Sequence, residues 1–233
     1  MGKQVAVIGL GRFGTNLAIA LQHSGYEVLA IDNDPELVES ISSQVVHAVR
    51  ANATNELALR KLGIGGCDVA VVAVGASIQN SVMITILLKK FGVRYIVARA
   101  DNELHGAILD SIGADKVIFP EKDVALKTGP ILTMKGVTDF IPLGEGSGII
   151  KTQAPPYFIG KTLSYLGLGS GGKSGAEVLM IQRGKEGILN PGAEEVVSHI
   201  DVLVIAGNTG DIDKLLEKAE KEEEKAASEN GKK

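Results

Sequence analysis

Short, almost continuously apolar segments alternate with amphipathic segments in the first half of the chain. The apolar segments are residues 4–8, 27–31, 45–49, 69–74, 95–98 and 116–119. Such segments are typical of parallel β-strands covered on both faces, and the segments between them have helical periodicity. Glycines follow four of the helical segments, where a left-handed residue can end a helix: Gly25, Gly63, Gly92 and Gly113. The pattern predicts an α/β fold over residues 1–122, a Rossmann-like, doubly wound parallel sheet of six strands.

The pattern changes after residue 122. Residues 123–135 look helical, but Gly129 and Pro130 should break or kink this helix because proline lacks an amide hydrogen and clashes with the preceding turn. We therefore predict a crossover helix and linker over residues 123–142, leading to a neighbouring subunit. A smaller α+β lobe is predicted over residues 143–210, with strands at 149–153, 177–183, 187–190 and 202–206 and a short helix at 162–166. The charged tail 211–233 is predicted to be helical or disordered, as a solvated or fraying helix that runs into disorder.

Composition and charge narrow the classes of function. With 45% hydrophobic and 22% charged residues, the chain has the composition of an ordinary globular protein. Its net charge of −4 gives no basic field, so no nucleic-acid partner is expected. The single cysteine, Cys67, excludes an internal disulfide and is expected to be a structural thiol. No apolar run approaches the ~20 residues of a membrane span, and no signal-peptide pattern is present, so a cytoplasmic location is expected.

A glycine-rich loop follows the first predicted strand and precedes a helix. Gly9 permits a tight turn, Gly11 lets a phosphate approach the backbone, and Gly14 lets the helix pack close to the sheet. The helix N-terminus then offers free N–H groups and partial positive charge to the phosphates. Arg12 and Phe13 complete the loop, and we include both in the predicted site; Arg12 either pairs with a terminal phosphate or is a solvated surface arginine.

Three further segments should line the same crevice, because ligands bind beyond the carboxyl ends of parallel strands where the strand order reverses. Asp32 stands 18 residues after Gly14, where a carboxylate accepts hydrogen bonds from both ribose hydroxyls and disfavours NADP. The other residues of the predicted site are Asn33, the small polar residues Asn52, Ala53 and Thr54 after the third strand, and Val74 and Gly75 after the fourth. The site should hold an adenine nucleotide or dinucleotide, either ATP/ADP or NAD/NADH.

No catalytic constellation accompanies this site. The sequence has no C-x-x-C or H-E-x-x-H motif and no nucleophile elbow, and the C-terminal lobe offers only His199 as an acid–base group. Residues 167–174 match the P-loop pattern, but a helix precedes them and a strand follows, the reverse of a working P-loop, so we expect a surface loop. We therefore predict a protein that is not an enzyme; an NAD-dependent oxidoreductase and a stand-alone nucleotide or redox sensor remain the alternatives.

Over residues 3–216 the chain resembles the cytosolic RCK or KTN (TrkA/KtrA-type) regulatory subunits of bacterial Trk/Ktr potassium uptake systems. The resemblance rests on the loop 9–14, on Ile31-Asp32, on segments 51–54, 72–75, 112–115 and 119–121, and on segments 159–163 and 201–207. It implies a homo-oligomer in which dimers assemble into a ring, commonly an octamer, at the inner face of the membrane beneath a membrane-embedded potassium-translocating subunit.

The resemblance also implies roles for individual residues. Binding of ATP or ADP, or of NAD or NADH in the Trk branch, would change the shape of the ring and gate transport. Arg12 would reach the terminal phosphate of ATP, and Glu121 would help to hold a divalent cation at the dimer interface. The alternative for Glu121 is a solvated acid in the first turn of a helix. Some members bind cyclic di-AMP, but residues 167–175 depart from the usual stretch, which counts against that ligand here.

Overall fold

The computed structural model describes residues 3–75, 77–169 and 174–230, and the chain forms two compact units, Met1–Pro120 and Glu121–Lys233. The first unit alternates strands and helices in the order β1 (Gln4–Ile8), α1 (Arg12–His23), β2 (Glu27–Asp32), α2 (Pro35–Ile41), β3 (His47–Arg50), α3 (Glu56–Lys61), β4 (Val69–Val72), α4 (Ile78–Lys90), β5 (Tyr95–Arg99), α5 (Glu103–Ser111) and β6 (Lys116–Ile118). The six strands form one parallel sheet in the order β3-β2-β1-β4-β5-β6. This confirms the predicted fold. The strand order reverses between β1 and β4, which opens a crevice at the carboxyl ends of the strands.

Both faces of this sheet are buried, as the apolar strands require. Along β1, Val5 and Val7 belong to one hydrophobic cluster, whereas Ala6 and Ile8 belong to the other. Successive strand residues point to opposite faces, so the sequence must be apolar at every position when helices cover both sides. A fully buried side chain such as Ile8 stabilises the fold by roughly 1.5–3 kcal/mol.

The second unit contains one antiparallel sheet with helices. Its elements are α6 (Pro120–Thr133), β7 (Val137–Gly144), β8 (Ser147–Gln153), α7 (Leu163–Leu166), β9 (Ala176–Arg183), β10 (Glu186–Leu189), β11 (Asp201–Asn208) and α8 (Thr209–Asn230). The five strands lie in the order β10-β9-β11-β8-β7, and each neighbouring pair is antiparallel. The predicted α+β character of this lobe is confirmed.

The predicted boundary at residue 143 is wrong, because β7 begins at Val137 and pairs with β8. In sequence, Pro142 and the glycines that follow it are typical of a loop. However, β7 is the edge strand of its sheet, where a proline does not interrupt a ladder hydrogen bond to a further strand. The predicted linker 123–142 therefore consists of a helix and most of a strand.

Of the two outcomes predicted at Gly129 and Pro130, a break or a kink of the helix, the break is wrong. Helix α6 begins at Pro120, where the missing amide hydrogen has no partner to lose, and continues through Pro130 to Thr133. Pro130 lies close to the end of the helix, and its carbonyl accepts the N–H of Met134 at 2.9 Å. Pro130 removes one bond of the ladder, that from its own missing N–H to the carbonyl of Leu126, and the helix continues past this gap.

Helix α8 is part of the core of the second unit over its first three turns. Ile212, Leu216 and Ala219 are buried, and their spacing of four and three residues places them on one face. The prediction of a solvated, fraying helix over 211–233 is wrong for these turns, because three small or aliphatic residues suffice for a narrow apolar stripe. Residues 231–233 lie outside the described part of the chain.

A buried ion pair joins two strands of the second sheet. The Asp201 side chain is fully buried, and its oxygens accept hydrogen bonds from Nε and Nη2 of Arg183, both at 2.9 Å. The Ser198 N–H also donates to Asp201, at 2.8 Å. The Arg183 hydrogen bonds lower the pKa of the Asp201 carboxyl, although burial opposes this effect.

Candidate functional site

A cleft of about 350 Å³ opens at the carboxyl ends of the strands of the first unit. It lies at the reversal of the strand order, where ligands of such sheets bind. The structure brings nine of the predicted site residues together in its wall: Gly9, Gly11, Asp32, Asn33, Asn52, Ala53, Thr54, Val74 and Gly75.

Each of the three glycines of the loop contributes to its structure in a different way. Gly9 has a φ of +96°, in the left-handed region, and its N–H donates to the Ile31 carbonyl at 2.8 Å. A side chain on Gly14 would overlap the Gly9 carbonyl oxygen, so only glycine lets α1 begin this close to the loop. A side chain on Gly11 would meet open space, which leaves the backbone there accessible to a ligand.

The carboxylate of Asp32 is held between two loops. Its Oδ2 accepts the N–H of Leu10 at 2.6 Å, and its Oδ1 accepts the N–H of Asp34 at 2.9 Å. These hydrogen bonds fix the orientation of the negatively charged carboxylate at the rim of the cleft. A carboxylate fixed beside the glycine loop can accept hydrogen bonds from ribose hydroxyls, and its negative charge would repel a phosphate on the same sugar.

The segment after β3 forms a compact polar turn on one side of the cleft. Oδ1 of Asn52 accepts both the N–H and the hydroxyl of Thr54, at 3.0 and 2.7 Å. Ala53, between them, is buried and packs with the core. The turn therefore presents a rigid, small wall of the kind that a flat base can contact.

Three residues on the other side of the cleft were missed by the sequence reasoning: Asn80 and Ile84 of α4, and Arg99 at the end of β5. The Arg99 side chain is only 22% exposed and forms an ion pair with Asp101 at 3.3 Å. Its guanidinium lies where a side chain on Gly75 would be, so Gly75 makes room for it. The sequence signal for Arg99 is its place at a strand end, and this signal points to the cleft only once the sheet order puts β5 beside β4.

The remaining predicted residues do not line the cleft. Arg12 is the first residue of α1 and is exposed, Phe13 packs partly against the core, and Gly14 is buried under the loop. Glu121 is exposed in the first turn of α6, in the other unit. Among the described residues, no group of three His, Cys, Asp or Glu side chains is placed to hold a metal ion.

Other sequence motifs have no visible part in this cleft. Residues 170–173 of the P-loop-like segment lie outside the described residues, but α7 precedes the segment and β9 follows it, as predicted. Cys67 is buried, and burial raises the pKa of its thiol, in keeping with a structural role. In the part of the chain that the structure describes, no helix is both long and apolar enough to span a membrane.

Comparison with protein families and known proteins identifies the family. The TrkA-N domain model matches residues 5–120, and the TrkA-C domain model matches residues 149–219. Ktr system potassium uptake protein C of Bacillus subtilis is 37% identical over 92% of this chain and 96% of its own length. The chain belongs to the TrkA/Ktr potassium uptake family. Ktr system potassium uptake protein A of Bacillus subtilis is 39% identical over 90% of this chain and 94% of its own length. The protein of that name from Vibrio alginolyticus is 34% identical over 88% and 92%.

Solved structures support the same fold. The RCK domain of GsuK superposes with a TM-score of 0.63 at 16% identity, covering 93% of this chain and 48% of that chain. The GsuK channel bound to NAD gives a TM-score of 0.60 at 17% identity, covering 93% and 39%. At this level of identity the likeness establishes an RCK-type fold for this member of the TrkA/Ktr family.

Proposed function

We propose that the chain is the nucleotide-binding regulatory subunit of a potassium uptake system, in which ATP and ADP compete for the cleft and gate a membrane-embedded potassium-translocating subunit. The observation that carries the proposal is the oriented Asp32 carboxylate beside an accessible glycine loop, in a chain of the TrkA/Ktr family. The subunit acts in the cytoplasm, at the inner face of the membrane, through this partner. It regulates and performs no chemistry, so no turnover of NADH is expected.

The strand order suggests how the nucleotide lies. Asp32 and the 52–54 turn follow β2 and β3, on one side of the glycine loop, whereas Gly75 and Arg99 follow β4 and β5, on the other side. With the ribose on Asp32, the adenine would rest on the 52–54 turn and the phosphates would cross Gly11. The outer phosphates would then extend towards Arg99, whose guanidinium suits a phosphate oxygen.

The switch requires groups that respond to the terminal phosphate, since ATP and ADP are otherwise alike. Arg12 and Arg99 are the candidates, Arg12 acting from its exposed position at the start of α1, across a dimer interface. A tenfold preference of one ring state for ATP corresponds to about 1.4 kcal/mol per site. In a ring of dimers, with an octamer as the expected form, these preferences add. Glu121 would contribute to a divalent-cation site at the dimer interface when the phosphates are present.

NAD or NADH is the second candidate ligand, because Asp32 suits the ribose of either nucleotide and the GsuK channel of similar fold was solved bound to NAD. A dinucleotide would place its second half on the Arg99 side of the cleft. NADPH is disfavoured if its 2′-phosphate faces the fixed charge of Asp32.

The test is titration calorimetry with ATP, ADP, NADH and NADPH on the wild type and on Asp32→Asn, which removes the charge but keeps the size. Glu36→Gln, which removes one exposed charge of α2 outside the cleft, is the matched control. We expect ATP and ADP to bind the wild type and the control, and to bind Asp32→Asn at least ~tenfold more weakly, because the hydrogen bonds to a charged group are lost. A wild type that binds none of the four nucleotides would refute the proposal.

Potassium uptake is tested separately. Cells that lack their own uptake system should grow at low potassium when this chain is produced together with a Ktr-type membrane subunit, and Asp32→Asn should alter that growth. Growth that is independent of this chain would favour a stand-alone sensor. Light scattering of the purified protein would measure the number of chains in the ring.

A further inference from the structure

Behind the Arg99 side of the cleft lies a buried histidine that does not line it. His105, in α5, is completely buried. Its Nδ1 accepts the backbone N–H of Asp101 at 3.3 Å, and its Nε2 lies 3.3 Å from Oγ of Ser81, which is buried in α4. Because the Asp101 N–H is a donor, Nδ1 must be unprotonated, and the proton is on Nε2, directed at Ser81.

This arrangement connects two parts of the cleft wall. Asp101 forms the ion pair with Arg99, so the hydrogen bond to its backbone fixes the residue that orients the guanidinium. Ser81 directly follows Asn80 in α4, and both Asn80 and Arg99 line the cleft. A single imidazole therefore ties the end of β5 to the start of α4.

The local backbone supports the connection. Oδ1 of Asn102 caps α5 by accepting the N–H of His105 at 2.9 Å, so the ring is anchored at the first turn of its helix. Thr85 Oγ1 donates to the Ser81 carbonyl at 2.8 Å, one turn further along α4. All three side chains of this polar cluster, Ser81, Thr85 and His105, are buried.

We propose that His105 is a positioning residue of the nucleotide site: through the Asp101 backbone it holds Arg99 in place for the phosphates, and it does so without touching the ligand. The inference rests on the proposed function, because it assumes that a phosphorylated nucleotide occupies the cleft. It predicts that the effect of His105 depends on the phosphates and is absent for adenosine, which is bound by Asp32 and the 52–54 turn.

Three substitutions separate the two hydrogen bonds of the ring. His105→Asn keeps an acceptor near the position of Nδ1, His105→Gln keeps a donor near the position of Nε2, and His105→Ala removes both. Thr152→Val is the control, because it removes a buried hydroxyl that hydrogen-bonds to two carbonyls in the other unit. The measurement is calorimetric titration of the full chain with ATP, NADH and adenosine, with thermal denaturation to confirm folding.

We expect His105→Ala and His105→Gln to bind ATP, or NADH if that is the tighter ligand, about tenfold more weakly, the effect of one buried hydrogen bond. His105→Asn should bind nearly as tightly as the wild type, and all variants should bind adenosine equally well. An equal loss of ATP and adenosine binding, no loss of either, or a failure of His105→Asn to restore binding would overturn the positioning role alone. If His105→Ala does not fold, the comparison of His105→Asn with His105→Gln still decides whether an acceptor at the position of Nδ1 is needed for ATP binding. A wild type without affinity for any nucleotide would overturn the proposed function together with this assignment.

Discussion

Substitution of Gly11 and Gly14 by alanine separates ligand binding from folding within one loop. At Gly11 the backbone has φ −64° and ψ −176°, which alanine adopts readily, and an added methyl group meets no atom within 4 Å. Alanine is a poorer N-cap than glycine but restricts the unfolded chain, so the free energy of unfolding should change by less than about 1 kcal/mol. The methyl group would nevertheless stand where a phosphate approaches the backbone. The loss of a hydrogen bond to a charged group, about 1.5–3 kcal/mol, lowers ATP affinity roughly tenfold to a hundredfold.

Gly14→Ala should have the opposite profile. Its methyl group would overlap the Gly9 carbonyl oxygen, so α1 or the loop must shift. Such overpacking costs about 3 kcal/mol, which corresponds to a fall of roughly 10 °C in Tm. Calorimetric titration with ATP and adenosine, together with thermal denaturation, measures both effects. Wild-type affinity for ATP in Gly11→Ala would refute the placement of the phosphates on the loop, and wild-type stability of Gly14→Ala would refute the packing argument.

Four further predictions concern the switch and the second unit. Arg12→Ala should reduce the ratio of ATP to ADP affinity, measured by titration; an unchanged ratio would remove Arg12 from the switch. Leu216→Ala should lower the free energy of unfolding by about 3 kcal/mol through the cavity it leaves, whereas Leu189→Ala, at a position 72% exposed, should have little effect in the same urea denaturation. Because Arg183 lowers the pKa of Asp201, stability should be full above the ordinary carboxyl pKa of about 4 and should fall as the pH drops below it. Arg183→Met should lower the free energy of unfolding by about 2 kcal/mol at pH 7, less than for a fully buried pair because Arg183 is 29% exposed. The double variant Arg183→Met with Asp201→Leu should recover most of this loss. A single variant as stable as the wild type would contradict this prediction.

The fold of the first unit could be predicted because its signals are local. A strand such as β1 is apolar and buried from Val5 to Ile8, and the loop carries glycine at position 9, where φ is positive, and at position 14, where a side chain would overlap the Gly9 carbonyl. These features follow from the immediate neighbours in the chain. The strand order follows in turn from the short connections and the right-handed crossovers of parallel strands.

The second unit was harder to predict because its signals depend on distant partners. Pro142 prevents strand pairing only on the side of its missing N–H, so its meaning depends on β7 being an edge strand. Likewise, the alternation of charged residues in α8 obscures the stripe formed by Ile212, Leu216 and Ala219. Neither the edge nor the face that the helix covers can be read from the local sequence.

The site divides in the same way. Asp32 and the 52–54 turn could be predicted from their spacing after the first two helices. Arg99 looks like any arginine at a strand end until the sheet order places β5 beside β4, and His105 looks like a surface histidine until α5 is docked on α4. The two residues were missed because tertiary contacts, and no sequence motif, give them their position.

The two sides of the cleft should contribute differently to the choice of nucleotide. ATP, ADP and NADH all contain adenosine, so in the proposed pose Asp32 and the 52–54 turn would contact a part that the three share and would not distinguish among them. In that pose the choice of nucleotide would depend on groups beyond Gly11, and those of the cleft wall include Gly75, Arg99 and Asn80. We infer that substitutions on this side change the ranking of the nucleotides while adenosine affinity stays constant, and substitutions at Asp32 change all affinities together. A substitution of Arg99 that weakened adenosine as much as ATP would show that the ligand does not lie along the strand ends as proposed.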